Sequence, residues 1–588
     1  MVKLNVFFGA TAVALLAGCT GSVGPSSLPS NGTPGASPSS GGTSPGAASG
    51  GAVGQSGGST SGGAGSSSSG SAGAVASSSP LLPARIRRLT NAEYDASVQA
   101  LLGTTQTPAA TSFPLDARQS NFTVNDAQRV DPVLAKLLSD TAIALVTEAR
   151  TNGKLAALSP CSNPTGGGPA CAATFIQSFG AKAYRRALSA DEVTALQTVY
   201  AAGVSGGAYA DGIDAIVRAV LQSAGFLYST EIGAAGGAPA AGVVTLTPQE
   251  VASTLSFLVT SAPPDDALSG SGSGLMNADT REQQVRRLLG SQAGKSGLVR
   301  VIREWLGIDQ INQIAKDTTV YPGFTGVHNS IVSESLSFVD EVVNRSTGTL
   351  SELLGADWTI ADAPLASLYG VTSAGTGHTS LTSVGRRGIL NQAAFLSVFA
   401  HASESAPVLR GVAVMKRVAC LPVISPLTLN IVVTPPVPDP TKTTRQRYAI
   451  HATDPKCATC HTSIDAFGFA FEAFDGMGAP RPIVGGKPME NNQPTDASTT
   501  IPAGPDYAGS YADSNALALA LSTSGAVRTC MAHQMFRSFA ARSDDSVMGS
   551  EQDFVNRWGM LQADKQNSFV ETLVAYVKSP NFVQRRAE

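Results

Sequence analysis

Among the places where the chain sets a hydroxyl residue three positions ahead of a glutamate are Thr90-Asn91-Ala92-Glu93, Ser189-Ala190-Asp191-Glu192 and Thr247-Pro248-Gln249-Glu250. In this arrangement the hydroxyl accepts from a backbone amide of the first helical turn. The glutamate reaches back to the amide that precedes it, so each quartet fixes a helix start. Apolar residues follow at helical spacing. After the first box come Tyr94, Val98, Leu101 and Leu102 up to Gly103; after the second, Val193, Leu196 and Tyr200. Pro248 suits the first helical position of the third box, and Val251, Leu255 and Leu258 continue toward Pro263-Pro264. Further amphipathic runs fall at 282–306 and 329–345. Nothing sustains the alternation that a large sheet needs. The spacing therefore predicts a mainly α body, and the capping boxes are assigned a structural role only.

The first 82 residues read differently. Met1-Val2-Lys3 is a short basic start, followed by an apolar run from Val6-Phe7-Phe8 to Leu15-Leu16 and then Leu16-Ala17-Gly18-Cys19. The run is too short for a bilayer span, which takes about 20 apolar residues, and reads as a signal peptide. Small residues directly before Cys19 resemble a bacterial lipobox, which makes Cys19 the expected lipidation site. Several acyl chains on one cysteine would anchor stably where one chain would not. Residues 20–82 hold little but Gly, Ser, Ala, Pro and Thr. Such a tract buries too little to offset its ordering entropy, so a disordered tether is expected, with a mean reach of roughly 40–50 Å. Localisation at the bacterial cell envelope follows, on the outer membrane facing the periplasm or cell surface, with the membrane as a partner through the lipid. The net charge of −3 leaves no basic footprint, so no nucleic-acid partner is expected.

Chemistry concentrates at Cys457-Ala458-Thr459-Cys460-His461. Two cysteines three apart with histidine directly after form the attachment pattern of c-type haem. The thiols add to the vinyl groups, and the adjacent imidazole falls on the iron as proximal ligand. One haem c is expected, on Cys457, Cys460 and His461. A zinc site completed by Cys420 or Cys530 has suitable ligand types but lacks a second close Cys/His pair. A thioredoxin-like pair would need a strand-to-helix setting that the flanks do not offer.

The surroundings of the motif are similar to a known family. Arg386-Arg387-Gly388-Ile389-Leu390-Asn391-Gln392, Ser405-Ala406-Pro407-Val408-Leu409-Arg410-Gly411, Cys420-Leu421-Pro422 and the motif itself carry the resemblance. It continues through Ile464-Asp465 into Gly468-Phe469-Ala470-Phe471-Glu472-Ala473-Phe474-Asp475-Gly476-Met477-Gly478. Together they resemble the planctomycete-type cytochrome c domain of large exported proteins from planctomycetes and myxobacteria. Arg88 to Tyr94, Ala183 to Leu188, Thr247 to Pro264 with Glu304-Trp305-Leu306 and Leu365 to Gly370, and Cys530 to Arg542 resemble accessory domains of the same proteins. The resemblance implies a haem c protein and names no reaction. Where the family carries proline after Ile464-Asp465 this chain has Ala466, expected to loosen the turn after the motif.

The expected organisation is a signal peptide (1–19), a tether (20–82), three helical accessory domains (83–155, 156–240, 241–375), a cytochrome c-like domain (376–485) and a C-terminal helical domain (486–588). In an oxidising compartment Cys161 and Cys171 are expected to close the Gly/Pro loop between them, and Cys420 to pair with Cys530. Phe467, Phe469, Phe471 and Phe474 are read mainly as core; Glu472 and Asp475 either hydrogen-bond the chain around the site or stand as solvated charges, the commoner case. The sixth iron ligand stays open among Met477, Met489, Met531, Met535, His451 and His533, with Met477, Met531 and His533 foremost. Two function classes follow. One is a lipid-anchored c-type cytochrome that passes electrons to an unknown redox partner or serves an unidentified oxidoreductase reaction. The other is a surface binding or scaffold lipoprotein, polysaccharide-associated for instance, whose cysteine pair is structural. No Ser/His/Asp set, paired-carboxylate signature or phosphate loop names an enzyme reaction.

Overall fold

A computed structural model describes residues 80–159, 168–205, 207–234, 241–424, 428, 436–453, 455–542 and 548–587. The signal segment, Cys19, the tether through residue 79, and Cys161 lie outside the described residues. Among them the chain is mainly helical, and its strands form only two- and three-stranded sheets.

Each of the three quartets caps a helix. Thr90 Oγ1 accepts from Glu93 N at 3.2 Å while Glu93 Oε2 accepts from Thr90 N at 2.8 Å, opening the helix Asn91–Leu102. Gly103 ends that helix in the left-handed region at φ +65°, which costs glycine little. Ser189 and Glu192 open Ala190–Gly203 in the same way, and Thr247 and Glu250 open Pro248–Thr260. The run at 282–306 is two helices, Ala278–Leu289 and Gln292–Leu306, because the Ser291 hydroxyl caps a fresh start by accepting from Gly294 N. The run at 329–345 belongs to the longer helix Phe324–Asn344.

Packing gathers the helices around two apolar cores. One draws only on residues between Tyr94 and Leu227, with Phe175, Ile176, Val217 and Phe226 at its centre. The other runs from Leu246 to Phe582 and also takes in Leu82 and Phe122. Leu81 and Leu82 are thus buried rather than part of the tether, and Leu82 N donates to Asn581 Oδ1 at 2.7 Å. The two ends of the body meet at a parallel bridge between Pro83 and Arg586, flanked by two small antiparallel ladders. Arg85–Arg88 pairs with Tyr228–Glu231, and Gln584–Arg586 pairs with Val243–Thr245. Glu231 sits among these strands and receives Arg85 at 2.8 Å and Arg585 at 2.6 Å. Burial opposes its charge, but the two guanidiniums outweigh that and hold its pKa below the ordinary carboxylate value.

Cys420 and Cys530 form a disulfide that ties the segment after Pro407–Ala413 to the helix Gly525–Ala540. The motif lies on the helix Pro455–Phe469, which crosses Pro407–Ala413 at backbone contact. A Cβ at Gly468 would stand 2.0 Å from Pro407 O, and one at Gly411 would stand 2.1 Å from Ile464 O. Only glycine at both positions allows so close a crossing.

Candidate functional site

Cys457 and Cys460 lie one helical turn apart on Pro455–Phe469, both half-buried and both free thiols. His461 follows, and its Nδ1 lies 2.9 Å from Asp465 Oδ1, one turn further along the same helix. This carboxylate fixes the imidazole orientation and favours the proton on Nδ1, which leaves Nε2 as the lone-pair donor. The helix runs unbroken through Ala466 to Phe469, so the turn expected to be loosened there does not exist. The carbonyl of Ala466 instead accepts from Thr499 Oγ1.

His451, on the short helix Ile450–Thr453, lies against His461 with ring centroids 3.8 Å apart. Its Nδ1 is 3.6 Å from Asp465 Oδ2, near enough for an ion pair but too far for a hydrogen bond. That nitrogen is buried without a hydrogen-bond partner. Burial, helped by the His461 ring, holds the His451 pKa below the ordinary imidazole value, with Asp465 pulling the other way. Four residues earlier, the Arg447 guanidinium reaches Glu404 at 2.6 Å. Its Nε and Nη1 are also buried without partners, beside a cavity of about 440 Å³ that Tyr321, Glu404 and Arg481 help to line.

The shell behind the motif helix is charged and closed. Arg410 is wholly buried and donates to the carbonyls of Leu396, Phe471, Phe474 and Asp475. Arg386 donates to Asn391 O and Gly478 O while its guanidinium lies between the rings of Tyr369 and Phe474, at 3.9 Å and 4.4 Å. Glu472 is not a solvated charge, and Asp475 is half-buried. Glu472 is fully buried, accepts from Ser405 Oγ at 2.9 Å and lies 3.4 Å from Arg481. Asp475 accepts from the amides of Met477 and Ala479. Burial raises the pKa of both carboxyls, and the guanidiniums and N–H donors around them pull the other way. Phe467, Phe471 and Phe474 are core, whereas Phe469 is half-buried beneath Arg445, 4.8 Å from its ring centre.

Among the His, Cys, Asp and Glu of the described residues, one group of three gathers its ligand atoms within 4.8 Å: His451, His461 and Asp465. His533 is not in it; its Nδ1 bonds Glu551 at 2.8 Å, a carboxylate shared with Arg537. Met531 and Met535 are buried wholly in the second core. Met477 is buried too, and its carbonyl accepts from Ser397 Oγ. Met489 lies in the strand Lys487–Glu490. The zinc set is not assembled, because Cys420 and Cys530 are spent in their disulfide. The thioredoxin-like setting is absent as well, since a helix and not a strand precedes the motif. Sequence reasoning gave Asp465 no role; its signal was the four-residue spacing from His461. Gly411 and Gly468 had no signal short of knowing that the two helices cross.

A mainly helical body bearing a Cys-X-X-Cys-His helix defines a multi-domain protein with a cytochrome-type segment. Comparison with family models agrees. PSD3, a protein of unknown function (DUF1587), matches residues 87–151, and PSD5, a protein of unknown function (DUF1595), matches 171–231. PSD4, a protein of unknown function (DUF1592), matches 246–371, and PSCyt3, a protein of unknown function (DUF1588), matches 386–483, which contains the motif. The chain belongs to the planctomycete-type cytochrome c domain family. No curated protein and no solved structure matches it. Among the described residues no helix is long and apolar enough to cross a membrane.

Proposed function

We propose that this is an exported, lipid-anchored c-type cytochrome that carries one covalent haem and passes electrons at the cell envelope. The observation that carries the reading is the pair of free thiols one turn apart on a helix, with His461 next in line and its Nδ1 held by Asp465. The donor set fits the group: two half-buried thiols for the vinyl carbons and one imidazole whose second nitrogen is turned free. Arg447 adds unpartnered buried N–H donors of the kind a carboxylate-bearing ligand takes up. When bound, the haem supplies a one-electron redox centre. The chain's part is to fix the imidazole through Asp465 and to hold the motif helix in place through the Gly411–Gly468 crossing. Export and anchoring are supported by the Leu16-Ala17-Gly18-Cys19 segment and the tether that follows it. A body of this size beyond the motif segment supports a role for the cytochrome within a larger oxidoreductase assembly.

Expression beside c-type maturation machinery, followed by a haem-stained denaturing gel and a pyridine haemochrome spectrum, tests the reading. Covalent haem is expected in the wild type and its loss in Cys457→Ala. An unstained chain, under conditions that mature a control cytochrome, would refute it and leave the scaffold-lipoprotein reading. A weak near-infrared band in the oxidised protein would assign methionine as the sixth ligand.

A further inference from the structure

We propose that in the haem-free protein His451, His461 and Asp465 bind one divalent transition-metal ion, and that this ion and the haem iron compete for His461. The exclusion rests on the cytochrome reading above; the metal site does not.

Three observations converge. The three side chains bring their ligand atoms within 4.8 Å of one another, and none of the three is exposed. The Asp465 carboxylate stands 2.9 Å from His461 Nδ1 and 3.6 Å from His451 Nδ1. These contacts use different carboxylate oxygens, Oδ1 toward His461 and Oδ2 toward His451; donors about 2.1 Å from a tetrahedral metal lie about 3.4 Å from each other, so the carboxylate must rotate to present one oxygen to both rings. Finally, His451 Nδ1 is buried without a hydrogen-bond partner, a donor atom that the protein's own contacts leave unused. Two imidazoles and a carboxylate suit Zn²⁺, Cu²⁺, Ni²⁺ or Fe²⁺ rather than Mg²⁺ or Ca²⁺. With three protein ligands a coordination position stays open to solvent or a small ligand.

The competition follows from the imidazole itself. A neutral ring has one lone-pair nitrogen and one N–H. If His461 Nε2 serves iron, Nδ1 carries the proton and donates to Asp465. If His461 serves the His451–Asp465 ion, it has no second lone pair for iron. Metal loading before haem attachment would therefore withhold the proximal ligand, which makes the site a checkpoint between a metal-bound and a haem-bound form.

The test uses the full chain produced without haem-attachment machinery, with Cys457 and Cys460 as free thiols and the Cys420–Cys530 disulfide intact, titrated with Co²⁺ with Zn²⁺ as competitor. One Co²⁺ per chain is expected, with visible d–d bands and without the near-ultraviolet charge-transfer bands of thiolate ligation. His451→Ala and Asp465→Asn are each expected to weaken binding at least tenfold, while Cys457→Ser/Cys460→Ser leaves it unchanged. Undiminished binding in His451→Ala, or loss of binding in the Cys double variant, overturns the site. Pulsed EPR of Cu²⁺ on the unmutated chain reads the ligands without any substitution: two imidazole nitrogens support the assignment, and one nitrogen or a sulfur overturns it. The haem-loaded chain is expected to have lost the Co²⁺ site, and equal Co²⁺ affinity in that form overturns the competition. Co²⁺ binding in a chain that never takes haem supports the metal site and refutes the cytochrome reading alone.

Discussion

Replacing Gly468 by alanine is the sharpest test of how the motif helix is held. Two effects oppose each other. Alanine removes the entropic cost of a helical glycine, a gain of about 0.5–1 kcal/mol. Against this, the new Cβ would stand 2.0 Å from Pro407 O and 2.6 Å from Pro407 C, both backbone atoms that no rotamer change can move. Ordinary contact begins near 3.4 Å, so the two helices must part by more than an ångström. Overpacking of this kind costs about 1–3 kcal/mol, and a backbone clash belongs at the upper end. The expected net result is a loss of about 2 kcal/mol for the Gly468 variant. Gly326 supplies the control: it lies in the helix Phe324–Asn344, is exposed, and a Cβ there meets nothing within 4 Å. Gly326→Ala is therefore expected to be neutral or slightly stabilising, the same substitution with the opposite sign. Urea unfolding followed by circular dichroism and tryptophan fluorescence reads both variants. A Gly468→Ala midpoint equal to or above that of Gly326→Ala would refute the close crossing.

Other outcomes follow from the buried charges and the cross-link. Arg410→Ala strips donors from four buried carbonyls and leaves Glu472 with less compensation, so a loss of about 3–5 kcal/mol is expected in the urea midpoint. Glu334 is fully buried; desolvation lifts its pKa to about 7 despite hydrogen bonds from Tyr369 and Thr359. Between the ordinary carboxylate pKa and about 7 the folded state keeps this proton while the unfolded state has lost it. Stability contributed at this site therefore falls as pH rises, by up to about 3 kcal/mol. Glu334→Gln should flatten the wild-type decline in thermal midpoint between pH 4.5 and 7.5; an unchanged slope contradicts the assignment. Replacing Cys420 and Cys530 by serine opens a loop of 110 residues, with an expected loss of about 2–5 kcal/mol in denaturant and no effect on haem staining.

The helix starts were legible in the chain because a capping box is closed by atoms three residues apart. Thr90 and Glu93 need no tertiary partner to find each other, and the same holds for Ser189 with Glu192 and Thr247 with Glu250. The thiols and imidazole of the motif were legible for the same reason, as one turn of one helix. The break at Gly290-Ser291 was missed because the apolar periodicity carries on across it, while the capping hydroxyl of Ser291 is a weaker signal than a full box. Whether Glu472 bonds the chain or stands solvated stayed open in the sequence, because its compensation comes from Ser405 and Arg481, residues with no local pattern linking them to it. The role of His451 could not be read from a ten-residue separation, since the relative placement of the helices Ile450–Thr453 and Pro455–Phe469 decides which way each ring faces.

By itself, then, the sequence determined the helical class, the three capping-box helix starts, the family, and the three residues of the Cys-X-X-Cys-His motif. All of these rest on interactions within a turn or two of chain, or on an order of residues that needs no folding to be read. Only the tertiary structure decided that the body packs around two cores, and that both ends of the body meet at Glu231. It alone placed the motif helix across Pro407–Ala413 through paired glycines and drew His451 and Asp465 in around His461. Those arrangements join residues far apart in the chain. They persist because burial of apolar surface brings the helices together, and because each charge carried inside finds donors or counter-ions there that no local pattern announces.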